Sequence, residues 1–285
     1  MALTVDSAFS AYFDAINLDG DRRSDANARK DHIVGLMKKK FEVLEAFPSG
    51  SIPRFTAIKK HADVDVMVAL HYGKHIKGKS PKDLLQDVRD ALGEDKTNVR
   101  KNGQAVTLYY DSWPNVDIVP AAQCINGAGA VTHYDIPDAS SGNWISTNPK
   151  DHGDDIDHAA STCGGNFRKI VKMAKAWNKG HSDYLQSYHI EVMALKALTS
   201  SLDDLPWSVF QFFDKASALA KSSLWNRLGY ADSYLSQSDR DQAVDRLEKA
   251  RDGARDAWYA GRQGNEADAV RSWRAVFGDP FPTFG

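Results

Sequence analysis

The sequence predicts an α+β fold, with a mixed sheet in the N-terminal half and a helical bundle in the C-terminal half. Short apolar runs bounded by turn residues dominate from about residue 48 to residue 135. Apolar residues at helical spacing dominate from Asn166 onward. The 285 residues, 42% of them hydrophobic, are sufficient to bury a sizeable core in one or two domains.

The N-terminal segment, from about residue 4 to residue 46, is predicted to be helical with an interruption near Leu18–Asp21. Its second part carries a set of apolar residues at helical spacing: Ile33, Leu36, Met37, Phe41 and Leu44. A further helix is expected to begin at Ser80 and Pro81, which are favourable N-cap and N1 residues, and to end near Gly93.

Two aspartates stand on one face of a predicted strand, Ala62–Leu70. Side chains of a strand alternate between its faces, so Asp63 and Asp65 project side by side while Val64, Val66, Val68 and Leu70 bury the opposite face. A second predicted strand, Ala105–Tyr110, leads through a Trp-Pro turn into residues 116–119. Asp117 stands there between apolar neighbours.

Three carboxylates gathered together repel one another unless cations lie among them. Mg²⁺ prefers oxygen ligands, namely a few protein carboxylates and the oxygens of a substrate phosphate. Two such ions about 3.5–4 Å apart stabilise both the attacking and the leaving oxygen of a phosphoryl transfer. Asp63, Asp65 and Asp117 are therefore candidate metal ligands and catalytic residues.

The turn before the aspartate strand is a candidate phosphate site. Gly50 allows backbone N–H groups to approach a phosphate closely, and the hydroxyl group of Ser51 adds another donor. A Gly-Ser pair alone, or Asp-x-Asp alone, indicates little. Their combination with Asp117 is far more specific.

The C-terminal half is predicted to be helical after a polar, turn-rich connector at residues 137–165. Residues 187–198 are apolar nearly all round, which predicts a deeply buried helix. Three later helices are predicted: Pro206–Leu224, Ser238–Tyr259 and Asn265–Phe277, the last ended by Gly278 and Pro280. The predicted domains are residues 1–145, residues 146–278 and an extended tail at residues 279–285, with the active site in the cleft between the two halves.

Composition excludes several classes of protein. The net charge of −2 gives no support for binding long nucleic acids or a membrane surface. No stretch approaches 18 uninterrupted apolar residues, so no membrane span is expected. Two cysteines in a chain of this size, and an N-terminus without a signal-peptide pattern, predict a cytoplasmic protein.

These motifs resemble those of the DNA polymerase β-like nucleotidyltransferases. The longer stretch Gly50–Val66 resembles the bacterial cGAS/DncV-like nucleotidyltransferases, the second-messenger synthases of antiphage signalling systems. Four further segments match that family in the expected order: Trp144–Pro149, Lys175–Trp177, Ser187–Glu191 and Trp273–Pro282. The resemblance thus covers nearly the whole chain.

The resemblance implies roles for individual residues. Asp63 and Asp65 would bridge two Mg²⁺ ions, with Mn²⁺ as the alternative ion, and Asp117 would complete the ion that binds the attacking hydroxyl. The donor triphosphate of ATP, GTP or another nucleoside triphosphate would be held by several residues together, namely Gly50, Ser51, Lys175 and Ser187, assisted by Lys172. Tyr188 would stack on the donor base.

The residue pattern alone leaves simpler alternatives open. The helix predicted from Asn166 has an apolar stripe formed by Phe167, Ile170, Val171, Ala174 and Trp177. Lys172 and Lys175 share a face away from this stripe, which could be solvated and basic. Ser187 could be a helix cap and Tyr188 a core aromatic.

Two other segments invite functional interpretations that the pattern disfavours. Residues 151–158 with Cys163 lack the paired ligand spacing of structural zinc sites. We therefore do not expect this chain to carry a zinc ribbon that senses DNA. Gly127–Ala130 lacks the third glycine of a dinucleotide fingerprint and is expected to be a loop.

The predicted function is metal-dependent synthesis of a cyclic di- or oligonucleotide second messenger from nucleoside triphosphates. Two alternatives remain: an enzyme of the same fold that modifies an RNA 3′ end or a small-molecule hydroxyl, and an inactive nucleotide-binding scaffold. The resemblance also suggests that a ubiquitin-transfer-like partner conjugates the chain through Gly285. The alternative for that tail is packing by Phe281 and Phe284.

Overall fold

The computed structural model describes residues 3–18, 20–59 and 61–285, without the side chains of residues 20–23. In chain order the helices are α1 (Val5–Ile16), α2 (Gly20–Lys40), α3 (Pro81–Gly93), α4 (Pro149–Cys163), α5 (Asn166–Gly180), α6 (Ser187–Ala197), α7 (Leu205–Leu219), α8 (Gln237–Arg262) and α9 (Glu266–Phe277), with a π-helical turn at Tyr72–Ile76. The strands are β1 (Val43–Ser49), β2 (Val64–Leu70), β3 (Val99–Asn102), β4 (Ala105–Leu108), β5 (Val116–Ile125), β6 (Val131–Pro137), β7 (Trp144–Thr147), β8 (Trp225–Asn226) and β9 (Gly229–Tyr230).

The chain forms two compact units. The sheet unit contains residues 18–55 and 61–153, and the helical unit contains residues 3–17, 56–59 and 154–285. The chain therefore crosses between the two units several times before residue 154. The predicted domains, by contrast, are continuous segments with boundaries at residues 145 and 278. No helix in the described part of the chain is long and apolar enough to cross a membrane.

The sheet unit is built on one mixed sheet, as predicted. The strand order is β1-β2-β5-β4-β3, and β6 joins β5 and β7. Strands β2 and β5 are parallel, and the other pairs are antiparallel. The predicted alternation of β2 is confirmed, because the side chains of Val64, Val66, Val68 and Leu70 lie in one core cluster with those of α2 and α3. Met67 and Ala69 lie in a second cluster.

The helix prediction for residues 41–46 is wrong. Helix α2 ends at Lys40, and β1 pairs with β2, with Ala46 opposite Val68. Leu44, which fitted the helical spacing, is 51% exposed. Pairing with a neighbouring strand thus overrides a short helical pattern. Asp19, at the predicted interruption between the first helices, lies outside the described residues, and α1 ends before it at Ile16.

The prediction of a connector at residues 137–165 is also wrong. This segment contains β7, which pairs with β6, and all of α4. Ile156 and Cys163 of α4 are buried, whereas most of its other side chains are polar. The polar composition therefore belongs to a helix that buries only a narrow stripe.

The helical unit packs around a cluster of aromatic side chains. Phe9 lies edge-on to Trp273, with ring centroids 4.9 Å apart, and Phe281 stacks on Phe277 at 5.6 Å. Helix α6 is deeply buried, as predicted. Helix α9 ends at Phe277, and Gly278 follows it with a φ of 66°.

The tail after α9 is packed rather than extended. Phe281 is fully buried, and the Arg274 guanidinium donates hydrogen bonds to the Phe281 carbonyl oxygen and to Asp279. Phe284 packs against the same core, and the Arg271 guanidinium lies 5.8 Å from the centre of its ring. This arrangement is the packed alternative of the sequence analysis. Gly285 is exposed at the end of the tail.

Candidate active site

A row of polar residues crosses four strands of the sheet. Asp65 on β2 lies opposite Asp117 on β5 and opposite Ser49 on β1. Asp117 in turn lies opposite Thr107 on β4. Residues paired across strands place their side chains on the same face of a sheet. The strand register therefore places Asp65 beside Asp117, two of the three residues that the sequence analysis names as candidate metal ligands.

Asp63 precedes β2 in a segment that is tied to the start of β5. The Val64 N–H donates a hydrogen bond to the Asn115 carbonyl oxygen (3.0 Å), and the Trp113 indole N–H donates to the Ala62 carbonyl oxygen (2.7 Å). These two bonds flank Asp63 and fix its backbone next to the strand that carries Asp117. Asp63 is exposed, and Asp65 and Asp117 are half-buried.

Asp117 is partly removed from solvent and lies within reach of the negative charge of Asp63. Burial raises the pKa of its carboxyl above the usual 3.8, the hydrogen bond from Thr107 opposes this shift, and the negative charge of Asp63 raises the pKa further. The contribution from Asp63 shows that the two carboxylates interact. Like charges in this position favour a bound cation.

Thr107 was not predicted as a site residue. Its hydroxyl group donates a hydrogen bond to Oδ1 of Asp117 (2.5 Å), and the residue is only 3% exposed. It is the single polar residue in the strand Ala105–Leu108. A buried hydroxyl group in an otherwise apolar strand needs a partner, and this requirement is the signal that could have identified it.

Replacing Thr107 by valine is expected to shift the acid limb of the pH–rate profile to higher pH. The hydrogen bond favours the carboxylate, so its loss raises the pKa of Asp117 and leaves a smaller fraction ionised at low pH. Thr107→Ser keeps the hydroxyl group and should keep the wild-type profile. Identical acid limbs for the valine and serine variants would contradict a role for ionised Asp117.

Gly50 lies directly against Asp65. Its φ is +72°, a region that favours glycine, and a Cβ added there would lie 1.7 Å from Oδ2 of Asp65. Ser51 follows in the same turn. The structure thus gives a second reason for glycine at position 50, because the backbone of the turn occupies the space beside a candidate metal ligand.

Gly50→Ala is expected to lower the rate of the reaction at this site by at least about tenfold, equivalent to about 1.4 kcal/mol. The new methyl group must displace the Asp65 carboxylate, in addition to straining the backbone. Gly103→Ala is the matched control, because Gly103 has a φ of +60° but open space around its Cβ position. The control should share the backbone cost of about 1 kcal/mol and retain full activity in the folded fraction. Equal activity of the two variants would contradict the contact between Gly50 and Asp65.

The three aspartates are not gathered as tightly as a set of ligands on one ion. Among the described residues, one group of three or more His, Cys, Asp or Glu side chains has all its ligand atoms within 4.8 Å of one another: Cys124, His133 and Asp135. Asp63, Asp65 and Asp117 do not meet that distance. Asp65 and Asp117 share one face of the sheet, and Asp63 directly precedes β2 at the same end. All three offer oxygen donors of the kind that Mg²⁺ prefers.

The prediction that Lys172 and Lys175 lie away from the apolar stripe of α5 is wrong. Both side chains are buried, at 4% and 3% exposure. Lys172 donates a hydrogen bond to the side-chain oxygen of Asn17 (2.6 Å), and its ammonium group lies 5.5 Å from the centre of the Phe13 ring. Neither lysine is therefore part of a solvated basic face.

Lys175 belongs to a buried polar group with Glu191 and Thr56. Its ammonium group lies 2.7 Å from Oε1 of Glu191, a fully buried residue, and donates to the Thr56 carbonyl and hydroxyl oxygens at 3.3 and 3.2 Å. The Thr56 hydroxyl donates to the same Glu191 oxygen. The sequence analysis did not single out Glu191, although it is the only acidic residue of α6. A lone carboxylate in an apolar helix predicts a buried cation beside it.

Ser187 and Tyr188 begin α6, and neither has its simpler alternative role. Gln186 is the N-cap residue of α6, without a side-chain hydrogen bond, so Ser187 is not the cap. Tyr188 is 38% exposed rather than a core aromatic, and its hydroxyl oxygen accepts a hydrogen bond from the Asn226 amide (3.0 Å). Their assignment to the triphosphate and the base stays a prediction.

Comparisons with known proteins show the family. Residues 3–159 match the model of the Second Messenger Oligonucleotide or Dinucleotide Synthetase domain. A Bacillus cereus (strain VD146) protein named "Probable cyclic nucleotide synthase" is 23% identical over 99% of both chains. The cyclic AMP-AMP-AMP synthase of Escherichia coli (strain MS 115-1) is 24% identical over 92% of this chain and 91% of its own.

Solved structures show the same fold. The structure of CdnC from E. coli MS115-1 with ATP superposes with a TM-score of 0.79 at 20% identity, covering 98% of this chain and 99% of the other. The nucleotidyltransferase CdnG of Bradyrhizobium diazoefficiens with GTP gives a TM-score of 0.76 at 14% identity, over 97% and 96%. The chain belongs to the Second Messenger Oligonucleotide or Dinucleotide Synthetase family, and it is a nucleotidyltransferase that makes a cyclic oligonucleotide second messenger from nucleoside triphosphates.

Proposed function

We propose that the row of polar residues at the end of β2 and β5 is the catalytic centre of this synthase. The register that places Asp65 opposite Asp117, with the backbone of Gly50 against Asp65, carries the proposal. This arrangement joins the carboxylates and the phosphate turn at one place on the sheet.

Asp63, Asp65 and Asp117 would hold two Mg²⁺ ions, with Mn²⁺ as the alternative. The fit is supported by the all-oxygen donor set and by the raised pKa of Asp117, which has burial as its largest cause and the negative charge of Asp63 as a smaller one. When bound, such ions stabilise the charge that develops on the phosphoryl group and on the attacking and leaving oxygens. Asp63 and Asp65 would ligate both ions, and Asp117 one of them.

Other groups of the protein would position the substrates. Asp117, held in place by Thr107, would orient the attacking hydroxyl group and accept its proton. The backbone N–H groups of the turn at Gly50 and the Ser51 hydroxyl group would bind the triphosphate. Since positioning and electrostatics supply most of the catalysis in phosphoryl transfer, no covalent nucleophile is needed. The resemblance further assigns Ser187, Lys175 and Lys172 to the triphosphate and Tyr188 to the base.

ATP is the first substrate to test. A relative of 24% identity is a cyclic AMP-AMP-AMP synthase, and a structural relative is solved with ATP, whereas another is solved with GTP. Supplying each nucleoside triphosphate alone and in pairs, with Mg²⁺, and measuring pyrophosphate release identifies the substrate. Release with at least one triphosphate is required by the proposal, and no release with any combination would contradict it.

We further propose that the product acts in antiphage signalling, in the cytoplasm, where two free cysteines remain reduced. A protein partner is part of this proposal. CdnC of E. coli MS115-1 is solved in complex with a HORMA protein. Gly285 is exposed, which suits the conjugation by a ubiquitin-transfer-like partner that the resemblance suggests.

Conjugation at Gly285 is expected to require only the last residues of the tail. The packed Phe281 and Phe284 hold the segment before them, so the accessible part is short. Co-expression with such a conjugating partner and mass spectrometry for an isopeptide at Gly285 provides the test. Gly285→Glu is the control, and it should lose the adduct while retaining nucleotide synthesis. No adduct with a partner shown to be active would contradict conjugation and leave the catalytic proposal unchanged.

A further inference from the structure

A second cluster of potential ligands lies on β5 and β6. Cys124 on β5 is directly opposite His133 on β6, and Asp135 is two residues farther along β6, on the same face. The Cys124 sulfur lies 3.3 Å from Oδ2 of Asp135, and Nε2 of His133 lies 3.8 Å from Oδ1. Each of the three residues offers one ligand atom within 4.8 Å of the other two.

Neighbouring residues orient these ligands. The Thr132 hydroxyl group donates to the Cys124 carbonyl oxygen (3.1 Å), so its oxygen can accept the Nδ1–H of His133 (2.9 Å). That tautomer leaves the Nε2 lone pair available on the side of Asp135. The Ser146 hydroxyl group on β7 donates to Oδ1 of Asp135 (2.7 Å). Such outer hydrogen bonds fix the ring and carboxylate of metal ligands in known sites.

The spacing suits a tetrahedral ion of the zinc class. Zn–S bonds of about 2.3 Å and Zn–O and Zn–N bonds of about 2.0–2.2 Å put neighbouring ligand atoms about 3.3–3.6 Å apart. The Cys124 sulfur lies 3.3 Å from Oδ2 of Asp135 and Nε2 of His133 lies 3.8 Å from Oδ1, so a rotation of the carboxylate is needed to bring one oxygen toward both partners. A sulfur, a nitrogen and an oxygen ligand favour Zn²⁺ over Mg²⁺, which prefers oxygen alone.

The cluster of Cys124, His133 and Asp135 is separate from the row of polar residues that contains Asp65 and Asp117. Cys124 is seven residues beyond Asp117 on β5, a distance of about 23 Å along a strand and on the opposite face by alternation. The side chains of His133 and Asp135 are 29% and 34% exposed, so a cation can reach them from solvent. Thus an ion here would not contact the reacting atoms bound at Asp117.

We propose that Cys124, His133 and Asp135 bind one Zn²⁺ ion that links β5 to β6, with water as the fourth ligand. Binding requires the thiolate, so the Cys124 thiol proton is released to solvent and no redox step is involved. The ion joins the two strands at the end of the sheet remote from the aspartates. Its expected effect is stabilisation of the sheet unit rather than catalysis.

Zinc binding is best measured in the full-length Asp63→Asn/Asp65→Asn protein with excess Mg²⁺. The substitutions and the Mg²⁺ together prevent Zn²⁺ from binding at the proposed site of Asp63, Asp65 and Asp117. Titration calorimetry should show one Zn²⁺ per chain with a micromolar or tighter Kd, and the Tm should rise with added Zn²⁺. Cys124→Ser and His133→Ala should each weaken binding by at least about 100-fold. Cys163→Ser and His158→Ala, which change a cysteine and a histidine outside the cluster, should bind as before.

Co²⁺ provides a readout that needs no variant. If Cys124 is a ligand, Co²⁺ added to the protein should give a thiolate-to-cobalt charge-transfer band that excess Zn²⁺ removes. Absence of this band, unchanged Zn²⁺ affinity in Cys124→Ser, or a Kd weaker than micromolar in the Asp63→Asn/Asp65→Asn protein would each overturn the proposal. These measurements use no nucleoside triphosphate, so none of their results depends on the proposed nucleotide chemistry.

Discussion

Replacing Asp63 and Asp65 together by asparagine is expected to lower product formation at least about 1,000-fold and to leave the protein folded. The two carboxylates project from one end of β2, next to Asp117, and neither is needed for core packing. Loss of metal ligands removes several kcal/mol of transition-state stabilisation, and each 1.36 kcal/mol corresponds to about tenfold in rate. Product yield and the circular-dichroism melting curve should be measured on the same preparation.

Asp95→Asn/Asp111→Asn is the matched control for this variant. Both of these aspartates are exposed residues of the sheet unit, and the pair of substitutions removes the same charge. The control should retain the activity of the wild-type protein. Wild-type product yield in a well-folded Asp63→Asn/Asp65→Asn protein would contradict the assignment of these residues as metal ligands.

Replacing Lys175 by alanine is expected to reduce the free energy of unfolding by about 3–5 kcal/mol. The substitution removes the ammonium group that lies 2.7 Å from the carboxylate of the fully buried Glu191, and with it the two hydrogen bonds to Thr56. Lys179→Ala is the control. Lys179 pairs with Asp183 on the surface, with its side chain 34% exposed, so its loss should cost less than about 1 kcal/mol. Urea unfolding of the two variants measures the difference.

Nucleotide affinity of the Lys175→Ala protein tests the role that the resemblance implies. If Lys175 also contacts the triphosphate, the Kd of the folded protein for nucleoside triphosphate should rise well above that of Lys179→Ala. Equal dissociation constants in the two variants would contradict that contact. Equal unfolding free energies would contradict the buried pair. Lys175→Met/Glu191→Met removes both charges and should recover much of the stability lost in the single variant.

The alternation of β2 was predictable because Asp63 and Asp65 differ sharply in polarity from the valines between and beyond them. The pairing of Asp65 with Asp117 was not, since the register between parallel strands separated by more than 40 residues is set by the whole sheet. Helix α9 and its end were predictable from local signals, namely helical spacing, Gly278 and Pro280. Strand β1 was missed because its residues pair with a distant strand that local spacing does not reveal.

The burial of Lys175 was not predictable from helical spacing alone. Spacing placed Lys172 and Lys175 on the polar face of α5, which is the usual environment of lysine. Their actual partners, Asn17 and Glu191, lie 155 and 16 residues away in sequence. Glu191 in α6 was the available signal, because a carboxylate in an apolar helix needs a buried partner. Thr107 was missed for the same reason, as its partner Asp117 lies on another strand.

Analysis of the reaction products tests the proposed catalytic centre most directly. The protein is incubated with labelled ATP, GTP, CTP and UTP and Mg²⁺, treated with phosphatase, and the products are separated and weighed by mass spectrometry. A phosphatase-resistant cyclic oligonucleotide, absent with Asp63→Asn/Asp65→Asn, is the predicted result. Products that form only on an added RNA or small-molecule hydroxyl, or nucleotide binding without any product, would contradict it.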